Sequence, residues 1–80
     1  MKINVLFFGI TTDLMQTSAL EFTMTEGSTV ADFRKQLQIT YPQLSNFNTY
    51  AVALNEEYTS GDEVIRQNDT LAVIPPVSGG

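Results

Sequence analysis

The sequence predicts an α+β domain in which one helix packs on one face of a mixed β-sheet. Three observations support this fold class. Two N-terminal segments alternate apolar and polar residues as strands do, a later segment has apolar residues at helical spacing, and an almost wholly apolar run lies near the C-terminus. A chain of 80 residues is long enough to bury one modest core.

The first predicted strand runs from Ile3 to Phe8. Ile3, Val5 and Phe7 share one of its faces, whereas Leu6 and Phe8 share the other. Two large apolar residues are more than a solvated face needs. Either a helix covers one side of the sheet and a loop covers part of the other, or Leu6 and Phe8 contribute to a partner surface. The sequence leaves both interpretations open.

A polar connection, Gly9–Thr17, is predicted to be a loop that Leu14 and Met15 hold against the core. Ala19–Met24 then alternates cleanly and predicts a second strand, antiparallel to the first. Its inward residues would be Leu20, Phe22 and Met24.

The helix is predicted to begin at Ser28 or Thr29, where Thr29 and Asp32 resemble a capping box with Asp in place of Glu. Its end is marked by the two residues before Pro42. The apolar residues at helical spacing, which we expect to face the sheet, are Val30, Phe33 and Leu37.

The remaining chain is predicted to be loop, strand and turn. Gln43–Thr49 is a loop and Tyr50–Leu54 a third strand, with the alanines on its outer face. A turn at Asn55 leads into a short fourth strand, a second turn follows at Ser60–Glu63, and Val64 and Ile65 are expected to pack inward. Thr70–Ile74 is almost wholly apolar, so we expect it to pair with the first strand at the centre of the sheet. The order β-β-α-β-β-β is the β-grasp, or ubiquitin-like, layout.

Two prolines follow the last strand. Because proline donates no backbone hydrogen bond, Pro75 and Pro76 should end the sheet and start a stiff extended exit. We therefore expect residues 1–74 to form the β-grasp domain and residues 75–80 to form a C-terminal tail. Gly79 and Gly80 carry no side chains, so the tail could enter a narrow channel in another protein and present its α-carboxylate there. Alternatively, two terminal glycines are a linker remnant.

Composition argues against several functions. The net charge is −5 and the chain has 4 basic residues, which disfavours binding to nucleic acid or to an anionic membrane. An acidic surface could instead steer the chain toward a basic partner. The chain has no cysteine and no histidine, so it lacks a thiolate nucleophile and the commonest general base. No signal-peptide pattern is present, and we expect a cytoplasmic protein.

Two acidic pairs, Glu56-Glu57 and Asp62-Glu63, could suggest a metal site. Their spacing matches no calcium-binding loop, and charged turns are far commoner. We interpret them as solvated surface.

The run from Asn68 through Pro75-Pro76-Val77-Ser78 to Gly79-Gly80 resembles the ending of the molybdopterin synthase small subunit family. Val5–Gly9 is similar to that family's first strand, and Val52–Asn55 to the segment before its short strand. The first loop departs from the family pattern. An Arg-Glu-Leu and a glycine are common there, whereas this chain has Thr12-Asp13-Leu14 and Gln16.

The resemblance implies a sulfur carrier of the ubiquitin-like β-grasp family. An adenylating, E1-like enzyme would activate the α-carboxylate of Gly80 with ATP, and a sulfur donor would convert it to a thiocarboxylate. The tail would then enter the large synthase subunit and deliver sulfur to a pterin precursor of the molybdenum cofactor. The chain would bind no cofactor or metal itself and would be non-catalytic alone, acting as the sulfur-donating subunit of a hetero-oligomer.

This hypothesis gives the tail residues separate roles. Gly79 and Gly80 would avoid a clash around the reacting carbon, and Pro75 and Pro76 would lower the entropy lost when the tail is ordered. Val77 would occupy an apolar part of the channel, with Ser78 at its wall. Leu6 and Phe8, with Ala51 and Ala53, would contact the large subunit.

Three other functions are compatible with the residues. They are the thiazole-forming sulfur carrier of thiamine synthesis, a ubiquitin-like modifier that Gly80 links to a lysine, and a plain interaction domain. Mutating Gly80 would separate the last from the others, and covalent adducts to other proteins would identify a modifier.

Overall fold

A five-stranded sheet with two helices makes up the described part of the chain, residues 1–44 and 49–76 of the computed structural model. In chain order the elements are β1 (Lys2–Phe7), α1 (Ile10–Met15), β2 (Ala19–Thr23), α2 (Val30–Thr40), β3 (Ala51–Leu54), β4 (Glu57–Tyr58) and β5 (Thr70–Ile74). No helix within these residues is both long and apolar enough to cross a membrane.

The order of strands in the sheet is β2-β1-β5-β3-β4. β5 pairs in parallel with β1 and antiparallel with β3, while β1–β2 and β3–β4 are antiparallel pairs. The predicted central position of β5 beside β1 is therefore confirmed, as is the β-grasp layout.

The core lies between α2 and one face of the sheet, which we call the inner face. Phe33 is the largest fully buried side chain. Its ring meets Phe22 of β2 edge to face, with ring centroids 6.1 Å apart and an interplanar angle of 88°. The inner face includes Ile3, Val5 and Phe7, which the sequence predicts to share one face, together with Val52, Leu71 and Val73.

α2 begins with the predicted capping box. The backbone N–H of Asp32 donates to Thr29 Oγ1 (3.3 Å), and the backbone N–H of Thr29 donates to Asp32 Oδ2 (2.9 Å). The hydrogen bond from the Thr29 backbone N–H to the Asp32 carboxylate, and after it one from the Thr29 side chain, holds the pKa of this carboxyl below its usual value. Val30, Phe33 and Leu37 face the core as predicted.

The prediction of a loop over Gly9–Thr17 is wrong in part, because Ile10–Met15 forms α1. Six residues are too few to show helical periodicity, and Thr11 and Thr12 are weak helix formers. Gln16 ends α1 in the left-handed conformation, with φ 56° and ψ 31°. Leu14 and Met15 are half-buried against the core, as predicted.

Val64 does not pack inward as predicted; its side chain is 51% exposed. The segment forms an isolated antiparallel bridge with the start of α2, in which the N–H of Ile65 donates to the carbonyl of Ser28 at 2.9 Å. Neighbouring residues of an extended segment point in opposite directions. Because Ile65 faces the core and is 1% exposed, Val64 faces solvent.

The remaining predicted bounds differ little from the structure. The first strand ends at Phe7 and not Phe8, the second ends at Thr23, and the third begins at Ala51. Residues 45–48 of the loop predicted over Gln43–Thr49 lie outside the described residues.

Candidate functional site

The predicted tail starts from the central strand of the sheet. β5 has a neighbour on each side, and Leu71 and Val73 are both 0% exposed. The strand ends at Ile74, after which Pro75 is half-buried and Pro76 is exposed. The strand therefore provides a fixed base for whatever follows it. Of the predicted site residues, Val77, Ser78, Gly79 and Gly80 lie outside the described residues.

β1 and β5 leave the sheet at the same edge because they run in parallel. The register pairs Phe7 with Val73, so that two residues further Gly9 stands opposite Pro75. An added Cβ at Gly9 would lie 3.1 Å from Pro75 Cγ, closer than ordinary van der Waals contact. Backbone and proline ring therefore meet directly where β5 ends.

The first turn of α1 fixes the end of β1 at this edge. Thr11 is 0% exposed. Its Oγ1 accepts from the backbone N–H of Phe8 at 3.0 Å and donates to the carbonyl of the same residue. Thr12 Oγ1 donates to the carbonyl of Phe7 at 3.1 Å. These hydroxyls hydrogen-bond the backbone groups where β1 leaves the sheet.

The face of the sheet opposite α2, which we call the outer face, carries the other predicted partner residues. The register aligns one residue from each strand into an apolar row across it: Ala19, Leu6, Ala72, Ala53 and Tyr58. Phe8 is 48% and Tyr58 75% exposed. Ala51 pairs with Ile74 in the adjoining position. Leu6, Phe8, Ala51 and Ala53 thus lie on one face, as the sequence predicts.

A shallow depression of about 450 Å³ lies on this outer face. Its apolar lining comes from Leu6, Phe8 and Ala72, and its polar lining from Asn55, Glu56 and Thr70. The side chain of Asn55 makes two hydrogen bonds at its rim. Its Nδ2 donates to Asp69 Oδ1 and its Oδ1 accepts from the N–H of Thr70, both at 3.0 Å. The surface is apolar with a fixed polar border, which suits a protein partner better than a small ion.

The acidic turns do not form a metal site among residues 1–44 and 49–76, where no group of three or more suitable side chains comes together. Glu63 has a structural role: its carboxylate accepts from the N–H groups of Ser60 and Gly61, each at 2.9 Å. Backbone hydrogen bonds, that from Ser60 foremost, hold the pKa of this carboxyl below its ordinary value.

Arg34, one of the few cations, is also engaged in structure. Its Nη1 donates to the carbonyl of Tyr50 at 2.9 Å, which ties α2 to the start of β3. Partial burial lowers the pKa of the guanidinium, which nevertheless remains charged at neutral pH.

Sequence reasoning missed the part played by Gly9 and Thr11. Their partners are set by the parallel β1–β5 register and by a helix too short to recognise. A glycine that follows a strand, with two threonines close behind, was the available signal.

A model of the ThiS family matches residues 5–80 of the chain. The molybdopterin synthase sulfur carrier subunit of Arabidopsis thaliana is 38% identical over 80 residues, which cover 99% of this chain and 83% of that protein. The protein of the same name from Chlamydomonas reinhardtii is 31% identical over 83 residues, covering 100% of both chains.

Two solved structures have the same fold. SAMP1 from Haloferax volcanii superposes with a TM-score of 0.87 at 22% identity, covering 100% of both chains. A complex of subunits 1 and 2 of the molybdopterin-converting factor from Helicobacter pylori contains a chain that superposes with a TM-score of 0.73 at 23% identity, again covering 100% of both chains. The similarity covers the whole chain, including the central last strand and the two prolines after it. The chain therefore belongs to the ThiS family, alongside the molybdopterin synthase sulfur carrier subunits.

Proposed function

We propose that this chain is the sulfur carrier subunit of molybdopterin synthase and that the α-carboxylate of Gly80 is its reactive group. The similarity over the whole chain to relatives of that name carries the proposal. In the proposed cycle the carboxylate is adenylated and converted to a thiocarboxylate, and its sulfur is then delivered to the pterin precursor.

The residues suit this chemistry. A carboxylate is a poor electrophile, and adenylation gives it a good leaving group. The chain has neither cysteine nor histidine, so the activating groups would come from an adenylating enzyme and its ATP. Without Cβ atoms, Gly79 and Gly80 would let a catalytic channel close around the acyl carbon. The chain itself would bind no cofactor.

The large synthase subunit is the proposed partner of both the tail and the outer face. Pro75, Pro76, Val77 and Ser78 would occupy its channel, and Leu6 and Phe8 would contact its surface beside the channel entrance. The solved complex of subunits 1 and 2 of the molybdopterin-converting factor supports a pairing of this kind. The net charge of −5 would favour a basic contact surface on the partner. We place the reaction in the cytoplasm.

The direct test is the intact mass of the C-terminal peptide after the chain is incubated with ATP, the cognate adenylating enzyme and a sulfur source. We expect a gain equal to the exchange of one oxygen for sulfur. A chain that lacks Gly80 is the matched control and should gain nothing. A known carrier, included in parallel, establishes that the enzyme is active.

Other outcomes would point to the alternatives. An unmodified terminus beside a loaded known carrier would contradict the proposal. Covalent adducts between Gly80 and lysines of other proteins would identify a ubiquitin-like modifier, and transfer of the loaded sulfur to a thiazole precursor would identify a carrier for thiamine synthesis. Sulfur transfer to the pterin precursor in the presence of the large subunit would complete the proposed assignment.

A further inference from the structure

We propose that Gly9 is a positioning residue for the C-terminal tail, acting as a seat for the ring of Pro75. The inference deepens the proposed function and rests on it for its catalytic consequence. Its structural part concerns only how the chain leaves the sheet.

The backbone of Gly9 has a conformation that only glycine adopts easily. Its φ is 55° and its ψ is −136°. The left-handed region open to other residues lies near ψ +47°, so a side chain at Gly9 would be strained by the backbone alone. In addition, the position of an added Cβ is only 3.1 Å from Pro75 Cγ and 3.9 Å from its Cδ. Gly9 is therefore required both by its own backbone and by its neighbour.

Gly9 cannot easily move away from the proline. On one side, Phe8 is hydrogen-bonded through both its N–H and its carbonyl to the buried Thr11. On the other, the carbonyl of Gly9 accepts from the N–H of Thr12 at 3.1 Å. The seat is thus anchored by α1 and β1.

Pro75 has little freedom of its own. Its ring fixes its φ and restricts the conformation of Ile74 before it, and Ile74 belongs to β5 and pairs with Ala51 of β3. With one side of the ring against Gly9, the direction of the chain at Pro76 is set by two strands at once. A reacting group farther along the tail would start from a defined direction, and small errors in such a direction are costly for catalysis.

The experiment compares Gly9→Ala with Gly27→Ala in the full chain. Gly27 has a φ of 86°, but nothing lies within 4 Å of an added Cβ, so it reproduces a strained backbone without the contact. Residual dipolar couplings of the Cα–Hα bonds of Ile74, Pro75 and Pro76 report the direction of the chain with no enzyme present. Thiocarboxylate formation, measured with the adenylating enzyme, ATP and a sulfur source, gives kcat and KM.

We expect Gly9→Ala to change the couplings of these three residues while those of α2 stay the same. The loading reaction should lose roughly tenfold or more in kcat/KM, and Gly27→Ala should keep both native values. Pro75→Ala removes the two ring atoms nearest Gly9. If the contact is direct, Gly9→Ala will cost a smaller factor in the Pro75→Ala background than in the native chain.

Two results would overturn the proposal. One is native couplings and native kcat/KM in a folded Gly9→Ala variant whose unfolding free energy is reduced, because Gly9 would then be only a turn residue. The other is an equal cost of Gly9→Ala with and without the proline ring. Should Gly9→Ala fail to fold, the native chain decides through the nuclear Overhauser effect between the Gly9 Hα protons and the Pro75 ring protons: its absence would contradict the proposal, and its presence would support it.

Failure of the proposed function looks different from failure of this inference. A native chain that takes up no sulfur, while the couplings still change in Gly9→Ala, leaves the seat intact and removes the sulfur-carrier assignment. If instead the native chain takes up sulfur but Gly9→Ala leaves the couplings unchanged, the sulfur-carrier assignment stands and the role of Gly9 is excluded.

Discussion

The two faces of the sheet are built from the same strands but differ in how far their side chains are buried. On the inner face Val5, Leu71 and Val73 are completely buried beneath α2. On the outer face Leu6 and Ala72 are only half-buried, and Phe8 remains half exposed. An apolar residue that is not needed for the core is available for contact with another protein. The inner face accounts for stability, whereas the outer face is the part of the sheet that would contact the proposed partner.

The largest expected effect is in the core between α2 and the inner face. Phe33→Ala should lower the free energy of unfolding by about 3–5 kcal/mol, because it leaves a cavity at the centre of the core and removes the edge-to-face contact with Phe22. Urea unfolding followed by circular dichroism measures it. Phe8→Ala is the matched outer-face variant and should cost less than about 1 kcal/mol. Equal costs for the two substitutions would break the distinction between the faces.

The second effect concerns binding and rests on the proposed partner. Phe8→Asp puts a charge into the apolar part of the outer face and should weaken binding to the large synthase subunit at least about tenfold, as measured by titration calorimetry. Ile39→Asp is the matched control, since Ile39 is 73% exposed on α2, on the other side of the sheet. Native affinity in Phe8→Asp, or an equal loss in Ile39→Asp, would exclude the outer face from the interface.

The smallest expected effect is a loss of stability in acid, caused by protonation of Asp32 at the start of α2. Hydrogen bonds from Thr29 hold the pKa of Asp32 below its unfolded value, which is about 3.9. A group whose pKa is lowered by folding stabilises the fold above its unfolded pKa, and that contribution disappears as the pH falls through the folded pKa. The free energy of unfolding should therefore fall more steeply below about pH 4 in the native chain than in Asp32→Asn.

Thermal unfolding between pH 2 and 7 gives the comparison for Asp32, and the two curves should converge at the acid end. Because hydrogen bonds are the main cause of the shift, the difference between the curves should persist at high salt. Parallel curves for native and Asp32→Asn across the whole range would contradict the expected role of the capping box.

Most of the fold follows from local patterns in the sequence. Alternation predicted the strands, the Thr29–Asp32 pair predicted the start of α2, and the apolar run of β5 predicted its central place. What escaped prediction depends on contacts between distant segments. The backbone bridge between Thr29 and Val64 decides that Val64 faces outward, and α1 depends on Thr11 being buried at the end of β1.

The residues of the candidate site likewise include some that local patterns predict and others that depend on contacts between distant segments. Period-two alternation was enough to put Leu6 and Phe8 on one face, but it could not tell whether anything covers them. The seat formed by Gly9 could not be predicted, because it exists only through the parallel register that brings Pro75 beside it. The tail residues Gly79 and Gly80 were proposed from the sequence, and their role stays a prediction for the mass measurement.

The central position of β5 has a mechanical consequence. A force on the chain at Pro75 that pulls along the strand would be transmitted to β1 on one side and β3 on the other. The hydrogen bonds of both ladders would be loaded together in shear and not opened one after another from an end. A partner that grips and pulls the tail therefore meets the resistance of the whole sheet. Pulling on the segment that leaves β5 would therefore load the domain as a single unit.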